Sequence, residues 1–330
     1  MSSESIGANT PDERSKSSQK RAQSSEDSYT PVARCLGTNT QVTMADGSTR
    51  FVQDISNGDK VMGDDGTARK VIAFSTGSMD LYCIREIGGD GIWACSGDHL
   101  CVLIVGRPRI ERADVDGMVV VTTTPHVPKA ETVTVPVESA RELLARHRTE
   151  FLVPARELES ACANVAPLKV YMRRASTLPA IFPPQMTLDD AYHAGYGLLS
   201  AKELSVSDAW QSPQHRSAMV AGAVDAAGSL TVAIESPQVR AVFATACRSL
   251  CITVRMGSGT VTLDGGAAVI VPFLRSEGLA DAAVASAPAR FTYPFTVSAI
   301  GKDSYYGFDL DGNRRFLLGD LTVTHNSTPE

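Results

Sequence analysis

Little in these 330 residues suggests a membrane, a secreted scaffold or a nucleic-acid surface. No apolar run approaches the ~18 residues that suggest a membrane span. Nothing near Met1 resembles the apolar stretch of a secretory leader. The seven cysteines are odd in number and follow no paired metal spacing. They are expected as free thiols in a reducing, intracellular compartment, cytoplasmic or nuclear. A basic excess is also missing: the net charge of -6 argues against a general nucleic-acid binder. What remains, 43% hydrophobic and 21% charged residues, fits a mostly globular chain long enough for two domains.

Residues 1–34 differ from all that follow. Nine are serine, charges of both signs are mixed, and strong apolar residues are almost absent. Such a segment cannot offset its chain entropy by burial and is expected to be disordered. From Cys35 to about residue 125, short apolar runs alternate with the turn dipeptides Asp46-Gly47, Asn57-Gly58 and Asp65-Gly66. Those dipeptides tolerate the positive φ of tight hairpins, so the expectation is a compact, curved all-β unit. Residues 107–132, rich in Thr, Pro and charge, read as a surface loop. Residues 136–150 read as a helix and 160–183 as a linker. Helices are expected at 187–200, 213–227 and 236–250, and strands at 229–235, 252–256, 259–263 and 267–272. The Ala-rich stretch 279–289 reads as a short helix or return linker. The β pattern resumes at Phe291, with a turn at Asp311-Gly312-Asn313. The last stretch, 291–326, is too short to bury a core alone. The order therefore suggests a mainly β domain split by a smaller α/β insertion.

Three features stand at the ends of the β segments. Cys35 opens the run Cys35-Leu36-Gly37-Thr38 directly after the polar flank. Ser96-Gly97-Asp98-His99 lies between two apolar runs. Thr324-His325-Asn326-Ser327 closes the β pattern. Singly, each is ordinary. Together, with the blocks CLGTNTQVTMADGS, CSGDHLCVL and YYGFDLDGNRRFLLGDLTVTHNS, they resemble the block pattern of inteins, most closely those of fungal nuclear genes. The resemblance covers roughly 35–150 and 291–327. It implies the horseshoe-like β fold shared with hedgehog autoprocessing domains. It also implies an organisation: a flanking N-extein to residue 34, a Hint splicing domain in two parts, 35–155 and 291–326, an insert at 156–290, and a C-extein remnant from 327.

The resemblance assigns a role to each residue. Cys35 would attack the Arg34 carbonyl and make a thioester, with His99 as proton donor and Ser96, in the usual Thr place, as hydrogen-bond partner. Ser327 would take the acyl group. Asn326 would cyclise and break the bond to Ser327, assisted by His325. No cofactor, metal, small-molecule substrate or membrane is implied. The expected partner is the chain's own flanking segments, on a monomer. One departure is visible: Arg314-Arg315-Phe316 stands where the family has a His shortly before the Phe. Asp320 is a possible polar substitute, though a plain turn residue is the simpler reading.

Inside the insert, His193-Ala194-Gly195-Tyr196-Gly197-Leu198-Leu199-Ser200-Ala201 and Val220-Ala221-Gly222-Ala223-Val224-Asp225-Ala226-Ala227-Gly228 resemble the paired motifs of LAGLIDADG homing endonucleases. Ala246-Cys247-Arg248-Ser249-Leu250 resembles a later family segment. The eighth motif positions, where the family places metal-binding acids, are Ser200 and Ala227. Residues 156–290 hold eleven Lys/Arg and eleven Asp/Glu, so no basic stripe is available for phosphates. The expectation is a degenerate insert without DNA binding. The alternatives are an intein limited to cleavage without ligation, a hedgehog-type domain using an external nucleophile, and an active DNA endonuclease.

Overall fold

Two long strands organise the computed structural model, which describes residues 34–125, 129–165, 168–200 and 203–326. All of these lie within the unit Val32–Glu330. Residues 1–33 of the expected polar flank, and Ser327 with the rest of the expected C-extein, lie outside the described residues.

Strands Ala68–Glu86 and Phe295–Leu310 pair antiparallel from Phe295 opposite Glu86 to Leu310 opposite Val71. Their β-branched and aromatic residues suit an extended chain. Register shifts at Ala299/Gly301 and Asp309/Leu310 let the ribbon bend. Strand Leu36–Gly37 pairs with Tyr305 and Tyr306 on one side and with Cys95 on the other. Strand Ile92–Ser96 pairs back onto Ala68–Glu86, so these four strands close into a ring. The expected hairpin glycines, Gly47, Gly58 and Gly66, adopt φ of +81°, +91° and +79°.

A second sheet is centred on strand Leu100–Val105. It pairs with Glu150–Pro154, Val170–Arg173 and the terminal strand Val323–His325. The hairpin partner of that last strand is Arg315–Leu317. Residues up to 173 and from 292 onward thus share both sheets, and the molecule is mainly β.

Four local expectations need correction. Residues 107–132 are not a loop: strands Arg109–Arg112, Met118–Thr123 and Glu131–Pro136 form a three-stranded sheet. The cause is cross-strand pairing of β-branched residues, such as Val121 opposite both Val133 and Ile110. The helix expected at 136–150 shrinks to Ala140–Ala145 after a 3-10 turn, because Glu150 onward is drawn into the second sheet. The linker expected at 160–183 contains the end of helix Leu158–Asn164 and strand Val170–Arg173, so the second sheet continues past residue 155. Residues 267–272 form a 3-10 helix, Ala267–Phe273, with Gly266 at φ +77° before it and Pro272 inside it. A proline denies a central strand its ladder donor.

Helices Leu188–Tyr196, Pro213–Ala227 and Pro237–Arg248 start at Thr187, Ser212 and Ser236, whose hydroxyls cap the first backbone N–H groups. The first two cross at glycine. A Cβ on Gly195 would lie 1.8 Å from Met219 O, and one on Gly222 would lie 2.0 Å from Tyr192 O. Only glycine allows that backbone contact. Strands Thr231–Ala233, Thr253–Met256 and Thr260–Gly265 form a further three-stranded sheet.

The buried apolar residues form two cores. One fills the β body and includes Leu36, Ile84, Trp93, Leu103 and Phe316. The other is built mainly from residues 175–283, but it also takes in Leu317, Leu321 and Val323 from the C-terminal hairpin.

Candidate active site

Sheet register brings together residues that lie up to 291 positions apart. The Cys35 N–H donates to Ser96 Oγ at 3.0 Å, and the Ser96 N–H donates to Cys35 O at 2.9 Å. The nitrogen of the Arg34–Cys35 bond is therefore held by the hydroxyl expected there. Cys35 is buried. Its sulfur rests over Gly307, where a Cβ would come within 2.5 Å of Sγ and 2.9 Å of Ser75 Oγ. Burial pushes the Cys35 thiol up to about 12, and the carboxylate of Asp309 adds to this while the Ser75 hydroxyl opposes it. The thiol is thus protonated at neutral pH.

His99 is fully buried on the turn between strands Ile92–Ser96 and Leu100–Val105. Its N–H bond to Ser96 O at 3.0 Å fixes that turn. Nε2 is hydrogen-bonded to Thr324 Oγ1, and the Trp93 ring meets the imidazole edge-on at 5.9 Å between centroids. Burial holds His99 down to about 3. The Arg34 backbone beside the ring works in the opposite direction. Nδ1 has no aligned hydrogen-bond partner among the described residues, so its approach to Arg34 is close without being a formed bond.

The terminal strand delivers the other end. Thr324 pairs with Cys101 and His325 with Leu100, so the strand lies directly beside the His99 turn. His325 is held down to about 4 by burial and by the charges of Arg315, Arg34 and Arg314. Asn326 is buried, its N–H donates to Arg314 O at 2.9 Å, and its carboxamide Nδ2 donates to Phe308 O. Consecutive residues of one strand therefore touch both ends: Gly307 carries the Cys35 sulfur and Phe308 carries the Asn326 amide.

The structure thus brings Cys35, Ser96, His99, His325 and Asn326 into one region; Ser327 lies outside the described residues. Arg314 stands at the hairpin beside Asn326, with φ +58°. Asp320 is not at this site. It belongs to a buried ionic cluster and accepts from Thr322 N at 3.0 Å and Thr322 Oγ1 at 2.9 Å. Sequence reasoning missed Ser75, Gly307, Asp309 and Thr324. Thr324 was signalled only by its place before His325, and Asp309 only by its place in the terminal block.

Residues 35–115 match the family model described as Hom_end-associated Hint. The catalytic subunit of the V-type proton ATPase of Candida tropicalis is 36% identical over 78 residues, which is 21% of this chain and 7% of that relative. The chain thus spans a small fraction of the relative's length. A crystal structure of the gp41-1 intein carrying three substitutions aligns over 88% of this chain and 98% of its own, at 8% identity and a TM-score of 0.30. A second gp41-1 intein structure aligns over 20% and 51%, at 22% identity and a TM-score of 0.19. The family match is thus confined to residues 35–115, which resemble a Hint segment.

Proposed function

We propose that residues 35–326 excise themselves and join Arg34 to Ser327. The observation that carries this is the meeting of both ends on Gly307-Phe308, with the Cys35 nitrogen bonded to Ser96. Cys35 Sγ attacks the Arg34 carbonyl, the C–N bond breaks, and the proton lost by the thiol ends on the Cys35 amine. A thioester is a good acyl donor at neutral pH, which explains the choice of cysteine. Ser96 polarises the scissile amide, and His99, neutral and dry, relays the proton to the departing nitrogen. The hydroxyl of Ser327 then takes the acyl group and releases the Cys35 thiol. The Asn326 carboxamide nitrogen attacks its own backbone carbonyl, forming a succinimide and freeing the Ser327 amine. A neutral His325 can accept the amide proton. The freed amine takes the acyl group from the ester oxygen, which leaves an ordinary peptide bond. In this reading the splicing body is 35–173 with 291–326, the insert lies between them, and the flanks are exteins supplied in cis.

The test is expression of the chain with a longer C-terminal flank. The expected result is a ligated product of the summed flank mass and a free 35–326 fragment. Release of the N-terminal flank without ligation would favour the cleavage-only reading, which Arg314 in place of a His supports.

The insert reads as a decayed endonuclease. Ser200 and Ala227 offer no carboxylate at the metal-binding motif positions. Asp225 is already engaged: Tyr192 OH donates to its Oδ2 at 2.8 Å and Arg275 N–H donates to the same oxygen at 2.7 Å. Purified protein with Mg²⁺ should leave DNA carrying an empty insertion site uncut.

A further inference from the structure

A group of charges at the boundary of the two cores, buried but for the exposed Asp90, has no part in the splicing steps above. Arg174 Nη1 donates to Glu86 Oε1 at 3.0 Å and its Nη2 to Oε2 at 2.7 Å. The same Nη2 lies 3.5 Å from Asp320 Oδ2. Arg248, at the C-terminal end of insert helix Pro237–Arg248, is 7% exposed and pairs with Asp90. The residue after Asp90, Gly91, is wedged against two of these carboxylates. A Cβ there would stand 2.8 Å from Asp320 Oδ2 and 2.9 Å from Glu86 Oε2. Arg174 and Arg248 thus serve three carboxylates, and the charge of Arg248 reaches Asp320, where together with Arg174 it favours the ionised form.

The cluster is joined to the splicing site on its other side. Asp320 holds Thr322 by its N–H and hydroxyl. Thr322 Oγ1 is 2.8 Å from Tyr293 OH, which in turn accepts from Trp93 Nε1 at 3.4 Å. Trp93 abuts His99. Thr322 also leads straight into the strand that carries His325. The turn 318–322 is strained, with Leu321 at φ +66°, and its Leu321 side chain is buried in the insert core. A bare, left-handed leucine needs its surroundings to hold it.

We infer that Arg248 is a positioning residue for C-terminal cleavage: through Asp90 and Asp320 the insert clamps the turn that aims Asn326. This rests on the splicing reading. The insert then serves as part of the splicing machinery's frame. Removing Arg248 leaves the exposed Asp90 to solvent, but it takes one of the two cations from the interior Asp320 and frees the Asp90–Gly91 turn that presses on it. Asp320 would relax, and the turn with it, while Cys35 and Ser96, held in the closed sheet, would not.

The test uses the full chain with a longer C-terminal flank. Thioester formation is read as thiol-induced release of the N-terminal flank, and Asn326 cyclisation as release of the C-terminal flank. In Arg248→Ala, cyclisation should slow roughly tenfold or more, and thioester formation should stay within about twofold of wild type. Arg248→Lys should recover most of the loss. Asp90→Asn leaves the guanidinium in place and should show the same split, more weakly, which covers the case of Arg248→Ala failing to fold. Arg255→Ala, an exposed insert arginine paired with Asp264, should change neither rate. Equal rates in all variants, or both steps falling together with a lowered Tm, would overturn the inference. If the wild type releases neither flank, the splicing reading fails and takes this one with it.

Discussion

At the Arg34–Cys35 junction the amide nitrogen is tied to Ser96 Oγ, and the thiol lies in a socket of Gly307 and Ser75. At the other junction the Asn326 carboxamide is tied to a single carbonyl, Phe308 O, and its backbone to Arg314 O. The first sits inside a closed ring of strands, whereas the second ends a three-residue strand. Their protonation differs as well. Cys35 stays protonated up to about 12 and needs a base before it can act. His325 stays neutral down to about 4 and is ready at physiological pH. In the proposed reaction, the N-terminal step is therefore well positioned but chemically gated. The C-terminal step has its base to hand but depends on a hairpin for its aim.

The strongest way to break this contrast is to remove one nucleophile at a time. Cys35→Ala should abolish thioester formation and ligation, while slow C-terminal release persists, as mass spectrometry of the products would show. Asn326→Ala should do the reverse and leave thiol-induced N-terminal release intact. Next in size, His99→Ala should slow thioester formation roughly 100-fold to 10,000-fold, the range for a positioned proton-transfer group. Gly307→Ala would push a methyl into Cys35 Sγ and slow the same step roughly 10-fold to 100-fold through misplacement. If it slowed Asn326 cyclisation more than thioester formation, the two junctions would not be separable in this way. Arg314→His sharpens the other side. It restores a titratable group beside Asn326 and should speed C-terminal release by roughly tenfold, with no change at the N-terminal junction.

The residues expected as nucleophiles and proton carriers stand out in the sequence because each sits at a change of pattern: Cys35 after a serine-rich flank, His99 in a polar turn, His325-Asn326 at the end of an apolar run. Their partners were not. Ser75, Gly307 and Thr324 reach the site through the register of strands far apart in sequence, and no local spacing encodes register between distant strands. The same limit hid strands Arg109–Arg112, Met118–Thr123 and Glu131–Pro136, whose Thr and charged residues look loop-like until Val121 is set against Val133 and Ile110. The insert helices were easier to read, since periodicity and small residues are local signals. Asp320 was read as a turn residue. It is one, and its buried pairing with Arg174 was invisible without the fold.

The smallest expected effect concerns stability. His99 and His325 bind protons at about 3 and about 4 in the folded chain, against an ordinary 6.5. The unfolded chain therefore takes up protons first. Stability should be full above about pH 6.5 and fall as the pH drops toward 4. Urea unfolding at pH 7 and pH 5 should show a lower midpoint at pH 5, and His99→Gln should flatten the difference.

The most direct test of the central claim is the mass of the products formed when the full chain, with an extended C-terminal flank, is expressed and incubated. Splicing through the site described above predicts residues 1–34 joined to the flank at Ser327, together with a free fragment of residues 35–326 ending in a succinimide or its hydrolysis product. Ligation that persists in Cys35→Ala, or an intact wild-type precursor under the same conditions, would contradict it.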